Sequence, residues 1–151
     1  MKVEINKFEA AKRNIQAAIR MTFDEYDLVP VHTVAAAANG VLWEWAKKKG
    51  IETTLDQAWA KIIRPGYEKE VAKFMLRHAN FFKHADKDPD SSIELPLAEA
   101  NDMEILFAIS RYQDLTQAAT AEMGIFATWM RWCNPDMVMP FYKAEPRSLS
   151  E

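Results

Sequence analysis

The residues best suited to chemistry lie in one short stretch, Arg77-His78-Ala79-Asn80-Phe81-Phe82-Lys83-His84. At 100° per residue, Arg77, Asn80 and His84 share one stripe with Lys73, at intervals of three and four. Val71, Met75, His78, Ala79 and Phe82 take the other side. Arg77 and His84 are two turns apart, about 10 Å along a helix axis, so their side chains can converge on one phosphate. Histidine is matched to proton transfer near neutral pH, and arginine offers a permanent bidentate phosphate contact. Such a pair can cleave RNA without a metal, the histidine moving the proton of the 2′-hydroxyl and the arginine meeting the phosphorane charge. Asn80 is placed to orient either group. Across a homodimer axis the site would be doubled.

The same residues have a plainer reading as the solvated face of an amphipathic helix. His78, on the apolar side, is expected to be a semi-buried structural histidine. His32, in the first turn of its helix, is expected to be a packed, hydrogen-bonded imidazole. A second chemistry is metal binding. Asp86, Asp88 and Asp90 alternate as in a calcium loop, but Ser91 stands where the sixth-position glycine belongs and Leu97 where the bidentate glutamate belongs. A transition-metal site from these aspartates with His84 and His32 remains an alternative. The Glu-x-x-His pattern of carboxylate-bridged bundles is missing, since Val29, Met75 and Phe81 precede the three histidines by three.

The arginine, six residues and histidine on a helix resemble the signature of the HEPN superfamily, in which a polar residue often follows the arginine, here His78. The resemblance implies an all-helical fold and a metal-independent endoribonuclease site at a homodimer interface, or simple nucleotide or partner binding. Carried over by position, Arg77 and His84 would be the catalytic pair and Asn80 an auxiliary. Residues 79–86 and 27–38 also resemble uncharacterised bacterial helical proteins, which implies no activity. Two further readings stay open: a non-enzymatic dimeric helical protein that binds a protein partner or small ligand, and the His/Asp metal bundle.

The elements that position these residues are helices. The chain has 151 residues, about one domain, with 22 alanines against 4 glycines and 49% hydrophobic residues. That composition excludes disorder and disfavours turn-rich β folds and glycine-rich phosphate loops. No cofactor is expected. Net charge is −3, yet residues 61–84 hold six bases and two acids, while residues 86–104 hold seven acids and one lysine. Phosphate chemistry would therefore sit beside repelling acids. Cys133 is the one cysteine and is expected to be a buried small hydrophobe. Charges recur through Arg20 and no apolar run reaches the roughly 18 residues of a membrane span, so a cytoplasmic protein is expected.

Helical spacing runs through Ile5, Phe8, Ile15 and Ile19, then from Pro30 to the stop signal Lys47-Lys48-Lys49-Gly50. A short helix is expected over 55–63 with Thr54 as its cap, and a long one over 67–85. From 101 to 133, one helix or two follow, opened by a capping box over Asn101 to Glu104. The expected fold is all-α, an antiparallel bundle of about five helices over residues 1–140 with a peripheral tail over 141–151. The five tryptophans cannot all point inward, so an apolar partner face is expected, and the seam from Ile109 to Cys133 suits core or homodimer.

Overall fold

The computed structural model describes residues 2–84 and 89–134. Among these residues there are six α-helices and no strand: α1 (Lys7–Phe23), α2 (Leu28–Lys49), α3 (Thr54–Ile62), α4 (Glu68–Phe81), α5 (Leu97–Thr116) and α6 (Ala121–Cys133). The protein is a helical bundle, one helix richer than the periodicity suggested. No helix is long and apolar enough to cross a membrane among the described residues. The expected tail over 141–151 lies outside them.

Local chemistry sets the helix ends. Asn6 caps α1 by accepting from the Glu9 N–H at 2.8 Å, and Glu9 in turn holds Lys12 and Arg13. Asp27 caps α2, which places Pro30 inside the first turn and His32 in the second rather than the first. The stop signal works as expected. Gly50 takes φ +66°, where a Cβ would be strained, and its N–H and that of Ile51 close on Lys47 and Ala46. Thr53, not Thr54, caps α3, in a reciprocal capping box with Asp56. Thr54 is instead the first helical residue and donates from N–H and hydroxyl to Asp114 of α5.

The stretch from 101 to 133 is two helices. Gln117 takes a left-handed conformation, φ +54°, at the end of α5, and Thr120 caps α6 by accepting from Met123. The expected capping box at Asn101 does not form. Helix α5 already starts at Leu97 behind Pro96, so Asn101 lies a full turn inside it and is buried.

The core forms where α1, α2, α5 and α6 meet. Ile15, Ile19, Leu42, Ile105, Ile109, Phe126 and Met130 are almost wholly enclosed. Ala35 and Ala38 of α2 and Ala108 of α5 are also sealed, and the small side chains let these central helices lie close. The salt bridge from Arg20 to Glu122 at 2.5 Å ties α1 to α6 across the edge of that core. Helices α3 and α4 contribute little to it. No residue of α3 is buried, and Ala79 is the buried residue among the described side chains of α4. They lie instead against the outer side of α2 and α5, and the space between these four helices is a cleft.

Candidate functional site

Helix α4 presents its two faces as its periodicity predicts. Ala79 is buried and Val71, His78 and Phe82 are half-buried, while Lys73, Arg77, Asn80, Lys83 and His84 are exposed. The helix ends at Phe81, four residues short of the expected end, so His84 lies beyond it. The chain nevertheless takes one more turn, because the His84 N–H donates to the Asn80 carbonyl at 3.0 Å. Arg77, Asn80 and His84 thus flank the C-terminal end of α4, where free carbonyls place partial negative charge. An approaching phosphate meets that charge as well as the Arg77 guanidinium. Asp86 and Asp88 lie outside the described residues, and Asp90 is exposed. Among the described residues, no group of three or more His, Cys, Asp or Glu side chains is placed to hold a metal ion.

His32, the remaining metal candidate, is engaged elsewhere. It is 1% exposed, and its Nδ1 lies 2.8 Å from Oδ1 of Asn101. Its ring meets Phe82 edge-on at 5.4 Å and His78 at 6.3 Å, so it anchors the end of α4 to α2. Burial, together with the nearby His32 and Arg77, lowers the pKa of His78. Both histidines therefore take the structural roles expected of them. Cys133 does not, being exposed at the last position of α6, one turn-step past buried Met130 and outside the packed seam.

The most developed constellation in the fold was not singled out from sequence. Arg111 of α5 is 7% exposed, and its guanidinium is gripped from two sides. One terminal nitrogen donates to Oδ1 of Asn39 on α2 and the other to Oδ1 of Asp56 on α3, the latter at 3.2 Å. Asn39 passes the network on, donating from Nδ2 to Glu104 at 2.7 Å. Burial acts to raise the pKa of Asp56, but the hydrogen bonds from Thr53 and the charge of Arg111 outweigh it and hold the carboxyl below its ordinary value. The Nε–H of Arg111 is buried and has no partner among the described residues. An unmet donor of this kind costs about 1–3 kcal/mol.

These polar groups stand in the wall of the cleft between α2, α3, α4 and α5, about 260 Å³ in volume. The rest of the wall is apolar: Trp43, Trp59, Ile63, Leu76 and Phe107, with Ala36, Gly40, Ala72 and Ala79 leaving the room. Trp59 and Phe107 meet edge-on, with ring centres 6.1 Å apart, where α3 crosses α5. Glu68 also lines the cleft, and its own backbone N–H together with that of Gly66, which reaches both carboxylate oxygens, holds its carboxyl below the ordinary value. One signal for this site was present in sequence. Arg111 interrupts the apolar run Ala108, Ile109, Tyr112, and a charge on a buried face needs partners. Those partners come from two other helices and have no local pattern.

Compared with protein-family models, curated proteins and solved structures, the chain matches none of them.

Proposed function

We propose that this protein binds a small organic molecule in the cleft between α2, α3, α4 and α5 without converting it. The observation that carries this reading is a preformed aromatic cleft with a buried guanidinium in its wall, held from two sides by Asn39 and Asp56. Ligand sites combine apolar walls with a few fixed polar groups in this way. Among the described residues no histidine, cysteine or serine lines the cleft, so the reading is one of recognition rather than of His-, Cys- or Ser-based catalysis. The test is a thermal-shift and tryptophan-fluorescence screen of small aromatic compounds against the wild type and Gly40→Leu. A Cβ at Gly40 meets nothing within 4 Å, so the larger side chain fills the cleft without a backbone clash. Binding is expected in the wild type and lost in the variant. A screen with no binders, or binders indifferent to Gly40→Leu, would sink the reading.

Metal-independent RNA cleavage by Arg77 and His84, with Asn80 assisting, is a second reading, favoured by the joint exposure of Lys73, Arg77, Asn80, Lys83 and His84. Labelled RNA incubated in EDTA tests it. Cleavage that disappears in Arg77→Ala and His84→Ala supports it, and intact RNA rejects it.

Self-association of the protein as a homodimer belongs to the proposal too. The outer face of α6 carries Ala121, Gly124, Ile125, Thr128, Trp129 and Trp132, none of them charged, with Ile125 60% and Trp132 82% exposed. A two-fold contact brings a patch onto itself, and an uncharged patch with a small-residue centre meets its copy without repulsion. Sedimentation of the wild type as a dimer and of Trp132→Glu as a monomer is expected; a monomeric wild type rejects it.

A further inference from the structure

Three carboxylates and one guanidinium face the cleft, and the balance between them says what kind of molecule it takes. Asp56, Glu68 and Glu104 are the acids and Arg111 is the base, which leaves a formal charge of −2 on a pocket whose other walls are apolar. The guanidinium is already committed. Asp56 and Asn39 hold its two terminal nitrogens, and its Nε is sealed within the wall, so it presents no free fork to an incoming anion. Two of the acids keep unspent capacity. Glu104 accepts from Asn39 through Oε2, and no hydrogen bond among the described residues reaches its Oε1. Glu68 accepts two backbone N–H groups, its own and that of Gly66, and among the described residues no cation pairs with its carboxylate.

The aromatic groups act in the same direction. The faces of Trp43, Trp59 and Phe107 carry the negative side of a ring quadrupole, which draws cations and is indifferent or unfavourable to anions. Trp43 already shows this property, since the ammonium of Lys47 rests 5.2 Å from its ring centre. A low-dielectric wall strengthens both effects relative to open water.

Resting on the reading of this cleft as a ligand site, we infer that its ligand is a small organic cation: an aromatic or aliphatic body that packs against Trp59 and Phe107, carrying an amine or quaternary ammonium that meets Glu104 and Glu68. An anion of the same size would face uncompensated carboxylates, and a neutral molecule would gain the packing alone. The modest volume of the cleft fits a single ring with a short arm.

The test uses three probes of one shape that differ in the charge of the arm: 2-phenylethylammonium, 2-phenylethanol and phenylacetate. Affinities come from quenching of tryptophan fluorescence and from calorimetry at low and high salt. The ammonium is expected to bind about tenfold more tightly than the alcohol, and the carboxylate more weakly than either. Added salt should weaken the ammonium and leave the alcohol unchanged. Glu104→Gln keeps an oxygen for Asn39 and so spares the fold, yet it should remove most of the ammonium's advantage. Glu68→Gln should remove a smaller part. If the alcohol binds as well as the ammonium in the wild type, the charge assignment falls while the cleft stands as a ligand site. If the carboxylate binds best, Arg111 is the recognising group and the assignment is likewise wrong. If none of the three binds, and Gly40→Leu alters no fluorescence titration, the cleft itself is not a site and both readings fall together.

Discussion

Nδ1 of His32 faces Oδ1 of Asn101 at 2.8 Å, and the other end of the same amide identifies which atom is the donor. Asn101 donates from Nδ2 to the carbonyl of Leu28 at 2.9 Å, so its oxygen points at the ring and His32 must carry its hydrogen on Nδ1. The two bonds close α5 onto the first turns of α2 from inside the core. Asn101→Leu removes both at once and leaves the buried Nδ1–H of His32 without its acceptor. The expected loss is about 2–3 kcal/mol in urea unfolding. His32→Leu combined with Asn101→Leu replaces the polar pair by apolar volume and should recover part of it. A loss below about 0.5 kcal/mol in the single variant, the range of ordinary surface changes, would mean the pair contributes nothing net.

Arg111 and Asp56 make the converse case, a charge pair whose cost and gain nearly cancel. With the side chains 8% and 26% exposed, taking either partner away leaves the other partly desolvated. Asp56→Ala should cost about 3 kcal/mol, since it removes the ion pair and half of the α3 capping box together. Arg111→Met keeps apolar volume and should cost less. The double variant should be more stable than the sum of the two, and additive losses in that cycle would show that the contact carries no coupling. The pH dependence follows from Asp56 sitting below its ordinary value of 3.8. Its contribution is present above the unfolded-state value and is lost as pH falls through the still lower folded value, so acid unfolding of the wild type should begin below about pH 4 and be blunted in Asp56→Asn.

Asp102 behaves in the opposite sense. Burial, with the charge of Glu99 adding to it, pushes its carboxyl from 3.8 up to about 6. A raised carboxylate favours the folded state while protonated. That stabilisation is present at pH 4, declines as pH climbs toward 6 and is gone above it. Asp102→Asn should therefore be more stable than the wild type at pH 7, by about 1 kcal/mol after allowance for solvent screening of a half-buried group, and equal to it near pH 4. Melting temperatures at these two pH values decide the matter, and equal gains at both would refute the electrostatic origin.

How much of this was visible in sequence depends on how local the cause is. The ends of α2, the two faces of α4 and the packed stripe of α1 follow from capping residues, cations before glycine and the 3.6 period, all of which act within a few residues. Asn101 reads locally as a cap, followed as it is by Asp102 and Glu104. Its burial and its bond to His32 come from the partner helix 69 positions away. Arg111 is the same lesson at the candidate site. Its partners Asn39 and Asp56 stand 72 and 55 residues off, and no spacing rule connects them. Arg77, Asn80 and His84 are prominent because they are close in sequence and on one face, and among the described residues all three side chains are exposed.

Gly40 and Gly124 give a prediction about stability that is independent of any ligand. Both lie within helices, α2 and α6, and neither has a positive φ. A Cβ built at either meets nothing within 4 Å. Glycine in a helix interior costs up to about 1 kcal/mol relative to alanine, through the greater backbone freedom it must surrender on folding. Gly40→Ala and Gly124→Ala should each raise stability by about 0.5–1 kcal/mol, and their effects should add because the two sites lie on different helices with no shared neighbour. Gly50, at φ +66°, is the contrasting control: Gly50→Ala has the same open space but must enter the left-handed region and should lose about 1 kcal/mol. Urea denaturation of the three variants separates the explanations. If all three gained stability, space alone would govern. If Gly40→Ala lost it, α2 would have a need for glycine at the cleft that open space and backbone angle do not account for.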